Sequence, residues 1–192
     1  MSRKRRKPAP LDRQAMEELA LTYLARFSTS SARLEDYLRR KIRERGTAEG
    51  AEPLDVAGLV ARMVDLRYVD DAAFAQTRAS GLLRRGYGAR RVDQALRQAG
   101  IEEQLRAESS PEEPAARRAA LALARKRGFG PFAPMGREPR PADRFGRDKL
   151  RDKQIAAMIR AGHGFEAART LVDAASIEEA EEWAAMEEER HG

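Results

Sequence analysis

The chain of 192 residues has no cysteine, few aromatic residues and no long apolar run. Without cysteine, disulfide bonds and thiolate chemistry are excluded, and a reducing cytoplasm is the expected compartment. Aromatic residues make up only 6% of the chain, and alanine supplies much of its apolar surface, which favours thin helices with small cores. The longest apolar run, residues 119–124, is far too short to span a membrane, and no apolar stretch follows the basic start to make a secretory signal.

Catalytic and metal-binding signatures are also missing. The two histidines, His163 and His191, stand apart from any cysteine or spaced carboxylate pattern, so a zinc site is not expected. Asp70 and Asp71 are adjacent, but neighbouring helical residues diverge by about 100° and both stand at a predicted helix start, which favours capping over acid–base chemistry. We therefore expect no catalytic residue, no bound metal and no cofactor, and we expect His163 to be a half-buried structural residue.

Charge is abundant and unevenly distributed. Lysine and arginine total 37 against 31 acidic residues, which gives a net charge of +6 and a sequence pI near 10.0. Residues 117–160 carry 13 basic and 4 acidic side chains, whereas residues 170–192 carry one basic and eight acidic side chains. A basic protein of this kind favours a polyanion or an acidic protein surface as its partner.

A helix–corner–helix unit recurs along the chain. In its clearest copy, residues 66–101, two predicted helices meet at Gly86-Tyr87-Gly88. A second corner, Gly162-His163-Gly164, is followed by apolar residues at similar offsets, and residues 27–31 form a weaker third copy. Self-similarity of this kind is typical of repeat proteins. The apolar positions after the three corners are Val92, Ala95, Leu96 and Ala99; Phe165, Ala168, Val172 and Ala175; and Leu34, Leu38 and Ile42.

Helical periodicity extends over nearly the whole chain, and no segment alternates as a strand would. We predict an all-α protein of nine helices, arranged as three tandem three-helix bundles in an elongated, curved repeat array. The helix beginning near Pro111 is expected to close the second bundle, because residues 110–113 have the pattern of a capping box. The predicted boundaries are a disordered basic tail at 1–13, repeats at 14–66 and 67–127, a proline- and glycine-rich linker at 128–145, and a third repeat with an acidic last helix at 146–192.

The basic helix faces are the remaining functional feature. Arginines on both sides of Tyr87 suit phosphate contacts, and we expect the Tyr87 ring to be exposed and available for stacking. Solvated helix faces also carry arginine often, so the alternative is that these residues only keep the protein soluble. The expected partner- or DNA-binding residues are Arg39, Arg40, Arg43, Arg84, Arg85, Tyr87, Arg90, Arg91, Arg97, Arg147, Lys149, Arg151 and Lys153.

The order of these features resembles the RecX family, bacterial regulators of the RecA recombinase. The most specific stretch is LRYVDDAAFA at residues 66–75, followed by RRGYGARRVDQALRQAGI at residues 84–101. The resemblance covers about residues 14–175. Further residues that carry it are Ala20, Tyr23 and Leu24 in the first helix, and Ser30, Leu34, Glu35 and Leu38 in the second.

The resemblance implies an all-helical protein of three tandem three-helix repeats without catalytic activity of its own. Members of this family bind RecA filaments on DNA along the helical groove, and they inhibit ATP hydrolysis, strand exchange and coprotease activity in DNA repair and the SOS response. We expect a cytoplasmic monomer that contacts the filament, single- or double-stranded DNA, and no membrane. Two alternatives remain open: a direct DNA-binding or architectural protein, which the high pI favours, and a helical adaptor for a different partner.

Overall fold

The structure is a computed structural model that describes residues 9–50, 52–133 and 144–186. In these ranges we find helices and one isolated parallel bridge between Leu11 and Thr47, but no strand. The prediction of an all-α protein is confirmed. The helices are α1 (Arg13–Leu24), α2 (Ser31–Arg45), α3 (Val56–Asp65), α4 (Asp71–Arg84), α5 (Ala89–Arg97), α6 (Glu103–Glu108), α7 (Glu113–Arg127), a 3-10 turn (Gly130–Phe132), α8 (Arg144–Arg160), α9 (Phe165–Asp173) and α10 (Ile177–Ala185).

Side-chain caps fix several helix starts. Asp12, Ser30, Asp55 and Ser176 each accept a hydrogen bond from the backbone N–H three residues further on. Asp70 does the same for α4, at 2.9 Å from the nitrogen of Ala73, which confirms its predicted capping role. Each such cap contributes about 1 kcal/mol to helix stability.

The described residues divide into two compact units, neither of which is one continuous stretch of chain. The first unit comprises Met1–Ala75 and Gln98–Leu105, and the second comprises Gln76–Arg97 and Arg106–Gly192. Residues 1–8, which hold most of the predicted basic tail, lie outside the described residues. The predicted boundary of that tail is too late, since Leu11 is fully buried. The core of the first unit is formed by α1, α2 and α3 with Met16, Ala20, Leu34, Leu38, Val56, Leu59, Val60, Met63 and Val69.

Within the first unit, the start of α2 is tied to the start of α4. The Asp71 carboxylate accepts hydrogen bonds from the backbone N–H of Ser31, at 2.8 Å, and from the Ser31 hydroxyl. Asp71 was expected to cap its own helix; instead it caps α2, because the fold brings the two starts together. The neighbouring Ser30 hydroxyl is buried and donates to the carbonyl of Ala99.

The core of the second unit is formed by α7, α8, α9 and α10. The apolar face of α7 packs with the helices that follow residue 143, while its backbone at Leu123 also lies close to the corner at Gly86. The short helix α6, which has no buried residue, was not predicted, so the described residues contain ten α-helices rather than nine. The division into three bundles stays a prediction. The buried core residues are Ala120, Leu123, Ala124, Ile155, Met158, Ala168, Leu171, Val172 and Ala180.

Candidate functional site

Two of the recurring corners pack directly against each other in the second unit. The backbone N–H of Gly88 donates to the carbonyl of Ala161 at 2.9 Å, and that of Arg90 donates to the carbonyl of Gly162 at 3.2 Å. These carbonyls follow α8 and these N–H groups begin α5, so the negative end of one helix dipole faces the positive end of the other. The sequence predicted both corners, but not their contact.

Glycine is required where the two corners meet. A Cβ on Gly88 would lie 2.4 Å from the carbonyl carbon of Gly162, and a Cβ on Gly162 would lie 2.5 Å from the nitrogen of Arg91. Gly162 also has a φ of 98°, a conformation that favours glycine because a side chain would clash with the backbone. We call the contacting segments, residues 86–91 and 160–165, the paired corners.

His163 completes this contact. Its side chain is buried, and its Nε2 lies 3.0 Å from the carbonyl oxygen of Gly86, to which a neutral ring with its proton on Nε2 donates. Burial lowers the pKa of His163 from its ordinary value of 6.5, and the hydrogen bond to Gly86 opposes that shift. The ring is therefore neutral at pH 7. The structure places His163 as a packing residue that is buried, rather than half-buried as predicted.

Some of the predicted binding arginines already have anionic partners. The Arg151 guanidinium makes two hydrogen bonds to Asp173, at 2.5 and 2.6 Å, and it lowers the pKa of that carboxyl. Arg147 also has an interaction partner. A compensated charge is less available to a partner, so these residues are weaker candidates. The other paired members of the predicted set are Arg39 with Glu35 (2.5 Å), Arg40 with Glu44 (3.7 Å) and Arg97 with Asp93 (2.8 Å).

The arginines at the paired corners, and Arg84 and Arg85 just before them, differ, since they have no carboxylate partner among the described residues. Arg85 donates to the carbonyl of Gly81 at 3.0 Å, and Arg91 donates to the side-chain oxygen of Gln94 at 2.7 Å; both acceptors are neutral. No acidic residue occurs in residues 72–92. Exposed members of the predicted set without a carboxylate ion pair in the described ranges are Arg43, Arg84, Arg85, Arg90, Arg91, Lys149 and Lys153.

Arg90 and Arg91 stand in the first turn of α5, where a cation opposes the helix dipole. That turn holds no acidic residue, and each unfavourable charge there costs about 0.3–1 kcal/mol. The N–H groups of Gly88 and Arg90 are bonded to carbonyls after α8, and those of Arg91 and Val92 are bonded to the carbonyl of Gly88. The guanidinium groups are therefore the main donors that an anion would meet at this end. Residues that oppose local stability in this way are typical of functional sites.

Two further residues of the paired corners, Arg160 and Phe165, are not among the thirteen listed binding residues, although Arg160 belongs to the basic helix face that the sequence shows before Gly162. Arg160 is exposed, and its Cα lies within about 7.6 Å of the Gly162 Cα because two peptide units join them. Phe165, predicted to join the apolar core face, is 54% exposed at the start of α9. Its spacing from Ala168 fits a core position, so no sequence signal distinguished it. Tyr87 was predicted to be exposed, but it is half-buried, with the Arg91 guanidinium 6.0 Å from its ring centroid.

Other candidate sites are weaker. Within the described ranges, no three or more acidic or histidine side chains are grouped to hold a metal ion, and no helix is both long and apolar enough to cross a membrane. A groove of about 520 Å³ in the first unit is lined partly by Asp12, Glu17 and Asp55. Two of these carboxylates cap helices, and Glu17 pairs with Arg62 at 2.6 Å. The paired corners therefore remain the main candidate surface.

Comparison with known proteins shows which proteins this chain resembles. Residues 70–109, which contain α4, α5 and α6, match the family model described as RecX, second three-helix domain. The regulatory protein RecX of Myxococcus xanthus (strain DK1622) is 29% identical over 175 residues, which are 88% of this chain and 89% of that protein. Residues 70–109 are thus similar to a RecX domain, and most of the chain is similar to a RecX protein. Because the Myxococcus relative is named a regulatory protein, the expectation of a RecX-type regulator is confirmed at that level.

Solved structures of RecX proteins share the fold. The crystal structure of RecX from Lactobacillus salivarius has a TM-score of 0.60 at 16% identity, and the match covers 82% of this chain and 92% of that one. A second crystal structure, of a regulatory protein RecX, has a TM-score of 0.56 at 18% identity and covers 81% of this chain and 68% of that one. At these identities the likeness concerns the fold alone.

Proposed function

We propose that this protein is a cytoplasmic regulator that binds RecA filaments on DNA and mainly inhibits their ATPase, strand-exchange and coprotease activities. The similarity to RecX proteins, one of which is named a regulatory protein, supports a regulatory role. The observation that carries the proposal is the group of arginines at the paired corners and just before them, which have no carboxylate partner among the described residues and so offer positive charge to an anionic surface.

Regulation by binding needs no catalytic residue. A ligand shifts an equilibrium by its different affinity for two states, so a protein that binds one filament conformation more tightly lowers ATP turnover without chemistry of its own. A filament repeats the same surface along its length. Several modest contacts from one helical chain then add through effective concentration.

The double substitution Arg90→Glu/Arg91→Glu tests the proposal. We expect the concentration for half-inhibition of RecA ATP hydrolysis on single-stranded DNA to rise about tenfold or more, because two exposed charge contacts are reversed. Helix content should be kept, since glutamate suits the first turn of α5 better than arginine does. The matched control is Arg13→Glu/Arg26→Glu, which changes the net charge equally at two exposed positions outside the predicted site.

The outcomes distinguish an error in the proposed contact surface from an error in the proposed function. If Arg90→Glu/Arg91→Glu folds and inhibits RecA as well as the wild type does, the paired corners are not the contact surface. If the wild type does not inhibit RecA at all, the proposed function is wrong. If both double variants weaken inhibition equally, net charge is responsible rather than the site.

Direct DNA binding is the second candidate, and the exposed ring of Phe165 favours it. Guanidinium groups beside an accessible aromatic ring suit a single strand, since phosphates meet the cations and bases stack on the ring. This function predicts binding to DNA without recombinase, with an affinity that falls steeply as salt rises. Inhibition that appears only at concentrations that coat bare DNA would support it, and Phe165→Ser would then weaken DNA binding.

A further inference from the structure

The C-terminal end of α2, in the first unit, gathers positive charge that the fold does not cancel. Residues 40–45 contain four basic side chains and one acidic side chain, which leaves a net charge of +3. The one carboxylate, Glu44, is shared, because its oxygens lie 2.6 Å from Lys41 Nζ and 3.7 Å from Arg40 Nε. Arg43 is exposed and has no carboxylate partner in the described ranges. We call residues 40–45 the α2 terminus.

The helix itself explains only part of this charge. Cations in the last turn of a helix are stabilised by its dipole, which amounts to about half a negative charge at that end. Arg43 and Arg45 stand in that turn, but Arg40 and Lys41 precede it, and half a charge does not balance +3. The hydrogen bond from Lys41 lowers the pKa of Glu44, and the charges of Arg40 and Arg43 act in the same direction. The count therefore already includes the full negative charge of Glu44 at pH 7.

The N-terminal segment is fastened to the same end of α2. Leu11 is fully buried, its N–H donates to the carbonyl of Gly46, and its carbonyl accepts from the N–H of Ala48, both at 2.9 Å. The Arg45 Nε donates to the carbonyl of Ala9 at 2.6 Å. Folded backbone therefore fixes the point at which the residues before Ala9 leave the first unit.

Five further cations are attached at this point. Residues 3–7 are Arg-Lys-Arg-Arg-Lys, and residues 1–8 contain no acidic side chain. Two peptide units join Lys7 to Ala9, so their Cα atoms lie within about 7.6 Å of each other. Like charges at this range repel, since the screening length at physiological salt is about 8 Å. A chain that attaches five cations beside the α2 terminus opposes its own stability unless an anion is bound there, which is typical of a functional site.

We propose that the α2 terminus and residues 3–7 together bind the phosphodiester backbone of DNA, with their cations contacting successive phosphates whatever the base sequence. The surroundings favour nucleic acid over protein as the partner. Among the described residues, none of the large exposed hydrophobic side chains lies in residues 31–50, whereas protein interfaces depend on buried apolar or aromatic anchors. This surface belongs to the first unit and the paired corners belong to the second, so the two are separate sites.

This inference does not rest on the regulation of RecA, because DNA binding is measured without recombinase. A wild type that binds DNA through the α2 terminus but does not inhibit RecA would refute the proposed function and leave this inference standing. A wild type that inhibits RecA while its DNA binding ignores the α2 terminus would do the reverse.

The first test measures binding of the full chain to a labelled single-stranded oligonucleotide by fluorescence anisotropy over a range of salt concentrations. Arg40→Gln/Arg43→Gln should lower the slope of log affinity against log salt by about 1.4, since each phosphate contact with a single strand contributes about 0.7. The dissociation constant at about 0.1 M salt should rise about tenfold or more for the same reason. The matched control is Arg13→Gln/Arg26→Gln, which removes two exposed cations elsewhere in the first unit and should leave the slope unchanged.

The second test concerns residues 3–7 and their attachment. Removal of residues 2–7 should lower the slope by about 3.5, because five cations are lost. A flexible Gly-Ser linker of about ten residues between Pro8 and Ala9 keeps every charge but frees the segment from the α2 terminus. The dissociation constant of the linker variant should rise about threefold or more, because the effective concentration of the segment at the α2 terminus falls.

Four results would overturn the inference. The first is an unchanged slope for Arg40→Gln/Arg43→Gln, and the second is an equal decrease for its matched control, which would assign the effect to net charge. The third is a linker variant that binds as tightly as the wild type, since the two groups of cations would then act independently. The fourth is displacement of the oligonucleotide by poly-glutamate as readily as by unlabelled DNA, because the surface would then bind acidic protein equally well.

Discussion

Replacing Gly88 by alanine tests whether the two corners form a packing unit. The added methyl group would lie 2.4 Å from the carbonyl carbon and oxygen of Gly162 and 2.6 Å from the nitrogen of His163. These are backbone atoms, which cannot rotate away as the end of a side chain can. Gly88 does not have a positive φ, so the effect is steric and the corners must move apart.

The size of the effect follows from the contacts that separation weakens. The hydrogen bonds from Gly88 to Ala161 and from Arg90 to Gly162 contribute about 1 kcal/mol each. Forcing an extra carbon into a packed site costs about 1–3 kcal/mol, part of which is relieved when the bonds lengthen. We therefore expect the free energy of unfolding to fall by about 2–4 kcal/mol, a large share of the roughly 5–15 kcal/mol of a typical domain.

Urea denaturation followed by circular dichroism measures this loss, and Gly81→Ala is the matched control. It adds the same methyl group inside α4, where the nearest atom is the flexible end of Arg84 at 3.9 Å. Alanine replaces glycine favourably in a helix, so this variant should gain about 0.5–1 kcal/mol. A Gly88→Ala protein that unfolds at the wild-type urea concentration, or at a higher one, would refute the packing of the two corners against each other.

Two further predictions concern His163 and the start of α2. Burial lowers the pKa of His163, so below about pH 6.5 the unfolded chain binds more protons than the folded one. The free energy of unfolding therefore falls as the pH falls below that value. His163→Gln should make the urea midpoint of unfolding depend less on pH in this range. An unchanged slope would contradict the buried neutral ring. Asp71→Ala leaves the N–H and hydroxyl of Ser31 without their acceptor and should lower the free energy of unfolding by about 2–3 kcal/mol. Asp70→Ala removes one cap and should lower it by about 1 kcal/mol. Equal losses of stability in the two variants would show that Asp71 has no role beyond its own helix.

The sequence by itself determined the local features of this protein. Helical periodicity, the capping residues Asp70 and Ser176, and the glycines at the corners specified an all-α chain, because each of these signals acts within a few residues of backbone. The stretch at residues 66–75 carried the resemblance to the RecX family for the same reason, since it is a continuous string. Charge content likewise indicated an anionic partner without reference to any fold.

Only the tertiary structure decided which helices, corners and charged side chains contact each other. An apolar stripe says which face of a helix is buried, but not against what, so the partners of α7 and the contact between Gly88 and Gly162 could not be predicted. The same holds for charge. Arg151 looked as available as Arg90 in the sequence, yet the fold brings Asp173 to Arg151 from 22 residues away and brings no carboxylate in the described chain to Arg90. Ion pairs and packing depend on distances that the folded chain alone sets.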